Sequence, residues 1–303
     1  MSSKSIKNVS ASVRQRLLNK AKAEGRSFQE MVQYYSMERF LYRLSKSKHS
    51  RSFILKGAMM LQAWHFQQSR PTMDIDLLGR TDNEETNISD LMKEIMSVDV
   101  EADGVSFIPE SIRTERITED ADYMGIRVLF EAKLDTVRLN IQVDIGFGDI
   151  IFPCPEEMSL PTLIDYPQPR VLCYSLESAI AEKFEAMVKL NIINSRMKDF
   201  YDIWMISGMF EFEGEKLAEA VKLTFENRAT NFPDKIAAFS DGFIKNKQGQ
   251  WTAFRKKLGQ TQVPSEFSMI ISLIRQFLEP VALSLASGSP LRSKWISPGH
   301  WKN

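Results

Sequence analysis

Two β-rich runs, GIRVLFEAKL and VRLNIQVDIGFG, follow one another in the middle of the chain, with only Asp135 and Thr136 between them. Apolar and β-branched runs separated by two turn residues predict an antiparallel hairpin. A further run, Met73 to Leu78, alternates apolar and acidic residues, which is the period of a strand with one polar face. These runs predict a sheet at the centre of the fold, around which helices must pack.

Helical patterns flank this strand-rich region on both sides. Ala11 to Glu24 and Ser27 to about Leu44 are predicted helices, and Ser27 with Glu30 forms a capping-box pattern at the start of the second. Residues 80–122 are acidic and polar, with one helix predicted around residues 88–96. Beyond Ser175 the pattern predicts helices over residues 176–190, 197–209, 214–227 and 266–282.

We therefore predict an α/β (α+β) fold with a mixed-sheet core, a helical N-terminal segment and a mostly helical C-terminal half. The 303 residues allow one large domain or two. We expect three segments: a helical segment over 1–50, a core over 51–165, and a helical domain over 166–303 that completes the active site.

Composition excludes several classes of protein. Hydrophobic residues make up 43% of the chain and charged residues 26%, which excludes disordered and collagen-like chains. Two cysteines exclude a disulfide framework, and three histidines do not complete a structural zinc site with them. We find no apolar run near the roughly 18 residues of a membrane-spanning helix and no signal-peptide core. We expect a cytoplasmic protein without a membrane partner.

The formal net charge is zero, but the charges are unevenly distributed. Residues 1–56 carry 13 basic and 3 acidic side chains, whereas residues 74–165 carry 7 basic and 22 acidic side chains. A basic segment before an acidic one indicates either a site for a polyanion or attraction between the two segments. The charge pattern alone does not choose between them.

Three carboxylates lie on predicted strands. Asp74 and Asp76 are two residues apart, so their side chains leave the same face of one strand, and Asp144 lies on the second strand of the hairpin. If the two strands are neighbours, the three carboxylates converge. Like charges this close repel unless a cation lies between them, and carboxylate oxygens suit Mg²⁺ or Mn²⁺. Such a site serves phosphoryl transfer; the alternative is a solvated strand face.

A glycine turn precedes the first of these strands. Gly57 and Ala58 follow an apolar run that ends in Lys56. Glycine at a strand-to-helix junction lets the backbone approach a ligand, and the first N–H groups of a helix bind phosphate. The alternative is a glycine required only for packing. Arg70, between the turn and the carboxylates, either meets a phosphate or caps a loop.

A lysine interrupts the apolar stripe of the predicted helix 176–190. Positions 176, 180, 183, 187 and 190 hold Leu, Ile, Lys, Met and Leu, so Lys183 points toward the interior. A buried ammonium needs carboxylates or phosphates as partners unless it extends to solvent. If Lys183 serves a phosphate, a methionine in its place should preserve packing and stability.

The next predicted helix offers an anionic partner for Lys183. Asp199 shares a face with large apolar residues, which predicts partial burial and a specific cationic partner. The alternative is a pair of surface ion pairs at helical spacing, Arg196 with Asp199 and Lys198 with Asp202.

Together these segments resemble the AbiEii/AbiGii-type nucleotidyltransferase toxins, within the polymerase-β-like nucleotidyltransferase superfamily. The motifs that carry the resemblance are FILKGAMML, RPTMDIDLLG, LNIQVDIGFGD, AIAEKFEAMV and SRMKDFYDIW. The helical start RLLNKAKAEGRSFQEMVQYYSMERFLYRLSKS is also similar, so the resemblance extends from about Val13 to Met209. The D-x-D pair is common in the superfamily, whereas the lysine helix followed by R-x-K-D-x-x-D is more diagnostic.

The resemblance implies a nucleotidyltransferase core, an NTP substrate, Mg²⁺ or Mn²⁺ as cofactor, and a toxin with a separate antitoxin. It assigns metal binding to Asp74, Asp76 and Asp144, with Asp144 alternatively activating the acceptor hydroxyl. The implied catalytic set adds Lys183 and Asp199. The implied nucleotide-binding residues are Lys56, Gly57, Ala58, Arg70, Lys183, Lys198 and Asp202. Ala58 departs from the family turn, which has a second glycine or small polar residue, so phosphate contact there must come from backbone N–H groups.

We therefore expect an enzyme that transfers a nucleoside monophosphate (NMP) from an NTP to an acceptor, in a toxin–antitoxin or phage-defence system. The favoured acceptor is the 3′ end of tRNA, as resemblance to the MenT-like members suggests, or another RNA, because the basic first segment suits RNA phosphates. Protein NMPylation or AMPylation fits the same residues. A non-catalytic, partner-binding protein on this fold is the third possibility, against which the intact set Asp74, Asp76, Asp144 and Lys183 argues.

Overall fold

The computed structural model describes residues 8–64, 71–119 and 123–302. The chain divides into two compact units. The first comprises Met1–Gly148 and Glu156–Tyr174, and the second comprises Asp149–Pro155 and Ser175–Asn303. The N-terminal helices belong to the same unit as the sheet because the second helix packs on two of its strands.

The helices of the first unit are α1 (Val9–Glu24), α2 (Phe28–Lys46), α3 (Gly57–Ala63) and α4 (Glu85–Met96). Asn8 caps α1 by accepting a hydrogen bond from the Ala11 N–H at 3.0 Å. The predicted capping box of α2 is wrong: Ser27 is the N-cap residue but makes no side-chain cap bond. The Glu30 carboxylate accepts from Arg26 instead, because an arginine four residues earlier is a stronger donor than a backbone N–H.

The core of the first unit is a seven-stranded mixed sheet. The strands are β1 (Phe53–Lys56), β2 (Asp74–Gly79), β3 (Val105–Glu119), β4 (Tyr123–Leu134), β5 (Val137–Phe147), β6 (Glu156–Ser159) and β7 (Arg170–Cys173). Their order in the sheet is β3-β4-β5-β2-β1-β7-β6. The predicted hairpin is confirmed as β4 and β5, and the predicted alternating strand is β2. β2 runs parallel to β5 and β1 runs parallel to β7, while the other neighbours are antiparallel.

The long strand β3 was not predicted, because its sequence is polar and charged where a strand pattern is expected to alternate. It lies at the edge of the sheet, pairs only with β4 among the described strands, and contains an irregularity between Ile108 and Arg113. Edge strands with bulges tolerate charged residues, and charges there protect the edge from pairing with other chains.

α2 fixes the two strands that carry the predicted carboxylates. The Gln33 side-chain amide donates to the carbonyls of Met73, at 3.3 Å, and Asn140, at 3.0 Å. These residues lie just before β2 and within β5, so one buried side chain holds both strands at the same level.

The uneven charge is explained in part by attraction between the two segments. The Arg43 guanidinium donates to both carboxylate oxygens of buried Asp103, at 2.7 and 3.2 Å. Lys48 and His49 both contact Glu94, at 3.0 and 2.6 Å. Several basic side chains of the first segment therefore pair with carboxylates of the protein itself. This leaves fewer of them to bind RNA phosphates.

The second unit is built mainly from helices. Its elements are α5 (Leu176–Leu190), α6 (Met197–Met209), β8 (Phe212–Glu213), α7 (Gly214–Asn227), α8 (Asp241–Leu258), α9 (Phe267–Ser287), β9 (Lys294–Ile296) and β10 (His300–Lys302). All four helices predicted there are confirmed as α5, α6, α7 and α9. α8 was not predicted, because its polar sequence contains two glycines, which are poor helix formers. A small sheet in the order β10-β9-β8 completes the unit.

α9 corrects one expectation drawn from the sequence. By length and composition this 21-residue helix is long and apolar enough to cross a membrane, so the expectation that no segment reaches that length is wrong. Its buried residues, including Phe267 and Phe277, pack against α6, α7 and α8, which accounts for part of its apolar sequence, while Met269 and Leu283 are exposed. Its exposed side carries an ion pair between Arg275 and Glu279.

The C-terminal strand also completes α9. Pro280 lies inside the helix and lacks the N–H that would bond the carbonyl of Gln276. The Trp301 indole N–H lies 3.1 Å from that carbonyl and 3.2 Å from the carbonyl of Phe277. The tail therefore supplies a donor to the Gln276 carbonyl, which the proline leaves without its usual intrahelical partner.

Candidate active site

The three predicted strand carboxylates converge in the first unit. β2 and β5 are neighbours, with Asp76 directly opposite Asp144 and Asp74 opposite Gln142. One oxygen from each of Asp74, Asp76 and Asp144 lies within 4.8 Å of the other two. The prediction that these carboxylates meet on adjacent strands is confirmed.

Burial of the intervening residues fixes the direction of these side chains. Ile75 and Leu77 on β2, and Val143 and Ile145 on β5, are completely buried. Because successive strand residues point to opposite faces, burying these four side chains forces the carboxylates onto the other face. The alternating pattern in the sequence thus sets the geometry of the site.

Gly57 is required by the position of Asp76. Its φ of 68° lies in the left-handed region, and a Cβ there would overlap with the Asp76 carboxylate. The backbone turn and the carboxylate therefore lie in direct contact. Ala58 is buried within α3, so its methyl group faces the core.

A small cleft opens at the carboxylates. Its polar lining comes from Lys56, Asp76 and Asp144. Ile117, Gly125, Ile145 and Gly146 complete the lining. Gly125 and Gly146 are neighbours on β4 and β5 and bring no side chain to the lining, and the Ile117 side chain lies against Gly125. The cleft thus combines an anionic floor with a lysine and a flat apolar wall.

Arg127 is a site residue that the sequence interpretation missed. On β4 it lies opposite Asp144 and forms a two-pronged ion pair with it, Nε to Oδ1 at 2.8 Å and Nη2 to Oδ2 at 2.9 Å. The hydrogen bond to Asp144 raises the pKa of Arg127. The signal was present in the sequence: counting back equally from the turn at Asp135 and Thr136 pairs residue 127 with residue 144.

Two more side chains hold the carboxylates. The Gln142 amide donates to Asp144 at 3.0 Å, and the Thr72 hydroxyl donates to Asp74. Such donors stabilise the ionised carboxylates and restrict their rotamers.

The donor set fits a hard divalent cation. Three half-buried carboxylates offer only oxygen atoms, with no histidine or cysteine among them. Mg²⁺ and Mn²⁺ prefer such ligands, and a dication would relieve the repulsion among three negative charges.

The predicted Lys183 pairing is found in the second unit. The Lys183 ammonium lies 3.1 Å from Asp199 and 2.9 Å from Asp202. The Arg196 guanidinium lies 2.6 Å from the other Asp199 oxygen. Burial opposes ionisation of Asp199, but the Lys183 and Arg196 charges outweigh it and hold its pKa below the usual range.

The alternative of two surface ion pairs on this helix is wrong, because Asp199 and Asp202 are both buried, although one of the two pairs exists. Arg196 does pair with Asp199, as their spacing predicts. Asp202 is completely buried and pairs with Lys183, whereas Lys198 is exposed. Arg70 lies outside the described residues.

A mixed sheet that presents convergent carboxylates beside a glycine turn has the arrangement that metal-assisted phosphoryl transfer requires. Residues 39–273 match the family of nucleotidyl transferase AbiEii toxins of type IV toxin–antitoxin systems. The match covers more than half of the chain, so the protein belongs to this family of nucleotidyltransferase toxins. The family implies an NTP substrate and an antitoxin partner. A sequence comparison with curated proteins finds no match.

Solved structures support the fold. The chain is similar to a nucleotidyltransferase from H. pylori, with a TM-score of 0.52 at 14% identity over 86% of this chain and 98% of the other. It is also similar to MenT4, a nucleotidyltransferase toxin from Mycobacterium tuberculosis H37Rv, with a TM-score of 0.51 at 13% identity over 93% and 99%.

Proposed function

We propose that the protein catalyses metal-dependent transfer of an NMP from an NTP to an acceptor hydroxyl, with release of pyrophosphate. The observation that carries the proposal is the convergence of Asp74, Asp76 and Asp144 in a member of a nucleotidyltransferase family. Oxygen-only donors of this kind suit the Mg²⁺ or Mn²⁺ that in-line phosphoryl transfer employs.

The residues of the first unit take distinct roles in this proposal. Asp74 and Asp76 would hold the cation, which when bound supplies a Lewis acid for the transferred phosphate. Asp144, oriented by Arg127, would accept the proton of the attacking hydroxyl or share the cation. Lys56 lines the same cleft and would neutralise phosphate charge. The N–H groups at Gly57 and Ala58 offer further donors.

The residues of the second unit are proposed to contribute to nucleotide binding. Lys183 keeps 15% of its side-chain surface exposed despite its two carboxylate partners. From the family resemblance alone we propose that Lys183 contacts the triphosphate and that Asp199 and Asp202 position it. Lys198 is exposed and available to phosphate.

We propose RNA, and specifically the 3′ end of tRNA, as the acceptor. Purified protein should be incubated with labelled NTP, Mg²⁺ and a cell extract, and the labelled product then treated with ribonuclease or protease. Label in a ribonuclease-sensitive species of tRNA size supports the proposal. Label in a protease-sensitive species would instead favour protein NMPylation.

A non-catalytic binding protein is the remaining alternative. Calorimetry of Mg²⁺ and NTP binding separates it from an enzyme, since a decayed site would bind neither. We also propose that the protein acts in the cytoplasm, which cell fractionation tests. We further propose a role in phage defence, which is tested by phage challenge of cells that carry the wild type or the Asp76→Ala variant.

A further inference from the structure

α8 carries an exposed face that the fold does not use. From residue 242 to residue 265 the sequence contains five basic residues and no acidic residue. Exposed along one broad side of α8 are Gly242, Lys245, Asn246, Gly249, Gln250, Thr252, Ala253, Lys256 and Lys257. This set, the α8 outer face, carries three lysines, two amide side chains and several small residues; exposed Asp241, at the start of α8, is the acidic residue at its N-terminal edge.

The opposite side of α8 has a full structural role. Phe243 and Trp251 are buried, and Lys247 lies against the Phe243 ring at 5.5 Å. The Trp251 indole N–H donates to the Pro264 carbonyl at 3.0 Å. Gln248 accepts from the Phe267 N–H at 2.8 Å. These contacts hold α8 on α9 and on the loop between them.

The basic residues of α8 divide into two groups by their contacts. Arg255 donates to the Val263 carbonyl at 2.7 Å, and Lys247 is buried, so both serve the fold. Lys245, Lys256 and Lys257 are exposed, and no carboxylate of the described residues lies in ion-pair contact with them. By contrast, Lys216 and Lys222 on α7, the preceding helix in the chain, each pair with a glutamate.

Gly249 gives a second, independent indication that a partner binds the exposed side of α8. It lies within α8, where glycine weakens a helix relative to alanine. Its φ is not in the left-handed region, and a Cβ would meet no atom within 4 Å. The chain itself therefore gives no reason for glycine there. A partner that approaches the helix backbone closely would give one.

We propose that the α8 outer face binds the phosphate backbone of RNA. Unpaired lysines supply phosphate contacts, amide side chains supply sugar and phosphate hydrogen bonds, and small residues permit close approach. Lys245 and Lys256 lie about 16 Å apart along the helix axis, so they contact different phosphates. The inference deepens the proposed function, since it rests on RNA as the acceptor, and it assigns the contact to α8 rather than to the basic N-terminal segment.

The test measures RNA binding without NTP, in the Asp76→Ala background, so that nucleotide transfer plays no part. The probe is labelled bulk tRNA, titrated from about 50 to 200 mM salt. In the test variant Lys245, Lys256 and Lys257 become glutamine. In the matched control Lys216, Lys222 and Lys294, which have acidic neighbours, become glutamine.

We expect the test variant to bind tRNA at least about tenfold more weakly than the parent. The slope of log affinity against log salt concentration should also become shallower, by the amount expected for the loss of about two phosphate contacts. The control should bind as the parent does. Gly249→Met should raise the thermal midpoint and weaken tRNA binding. Parental tRNA affinity in both the lysine variant and Gly249→Met would overturn the inference, whatever the outcome of the transfer assay.

Discussion

Asp144 is held by hydrogen bonds from two side chains, and Arg127 is its main partner. Both Asp144 oxygens accept from Arg127, and one also accepts from Gln142. An arginine fork fixes the carboxylate plane in a way that the single charge of a lysine does not. The position of Asp144 therefore depends on a residue that touches neither nucleotide nor acceptor in the proposed mechanism.

Arg127→Met should lower kcat by about tenfold to a hundredfold, as expected when the residue that orients a catalytic carboxylate is lost. Arg127→Lys should recover part of the loss. Calorimetry should also show weaker Mn²⁺ binding. Arg138→Met is the matched control, because Arg138 is exposed on the same hairpin. A fully active Arg127→Met protein would remove Arg127 from the site.

Gly57→Ala should both strain the backbone and displace Asp76. The left-handed φ and the overlap with the carboxylate together predict a loss of about 1–3 kcal/mol in unfolding free energy and little remaining transfer activity. Gly25→Ala is the control, since Gly25 has a similar φ but open space around it. If both variants behave alike, strain alone explains the effect and Gly57 has no special relation to Asp76.

At the scale of elements, α5 and α6 are joined by the ion cluster around Lys183. The apolar stripe of α5 suggested that methionine would replace Lys183 without cost, but two buried carboxylates contact this lysine. We therefore expect Lys183→Met to be less stable than the wild type. Removing the cation leaves Asp199 and Asp202 buried with less compensation.

Lys183→Met should lower the unfolding free energy by about 3 kcal/mol or more. Chemical denaturation measures this directly, and Lys198→Met, on exposed α6 surface, should change stability little. Adding Asp202→Asn to Lys183→Met should restore part of the stability, since it removes one uncompensated charge. Transfer activity of Lys183→Met is interpretable only in protein shown to be folded.

α2 contains a buried ion pair, Glu38 with Arg39, whose contribution to the stability of the protein depends on pH. Glu38 lies 2.7 Å from Arg39, and both side chains are fully buried; Glu38 also accepts from the Leu163 N–H. Burial raises the pKa of Glu38 to about 7 from an ordinary 4.5. Its folded pKa is the higher one, so its contribution to stability is complete below about pH 4.5 and is lost as pH rises to about 7.

Replacement of Glu38 by glutamine should remove this pH dependence. Between pH 4.5 and pH 7 the unfolding free energy of the wild type should fall relative to that of Glu38→Gln, by roughly 3 kcal/mol at most. Urea denaturation at several pH values measures it, with Glu156→Gln, on an exposed edge strand, as control. A constant difference across this range would contradict a raised pKa.

At the scale of the whole molecule, hydrophobic periodicity in the sequence predicted the features that depend on one strand or one helix. The alternation in β2 predicted that Asp74 and Asp76 share a face, and the two-residue turn predicted the hairpin that carries Asp144; that β2 lies beside β5 was a hypothesis, which the fold confirms. The apolar faces of α5 and α6 together predicted the Lys183–Asp199 contact. The resemblance to a known family added the fold and the chemistry.

The features that were missed depend on neighbours in space. β3 is an edge strand and α8 a polar helix, so neither shows the apolar period that burial on a full face produces. Arg127 could have been paired with Asp144 by counting register, but a charged residue in a strand pattern gave no reason to count. The length of α9 was underestimated because Arg275, Glu279 and Pro280 interrupt its apolar run.

The central claim is nucleotide transfer at the carboxylate cluster, and one measurement tests it most directly. Wild type and Asp76→Asn are incubated with acceptor extract, Mg²⁺ and an NTP labelled at either its α-phosphate or its γ-phosphate. Wild type should place only the α-label on the acceptor and release the γ-label as pyrophosphate, while Asp76→Asn and chelator-treated wild type should place none. Label on the acceptor from the γ-phosphate, or undiminished transfer by Asp76→Asn, would contradict the account.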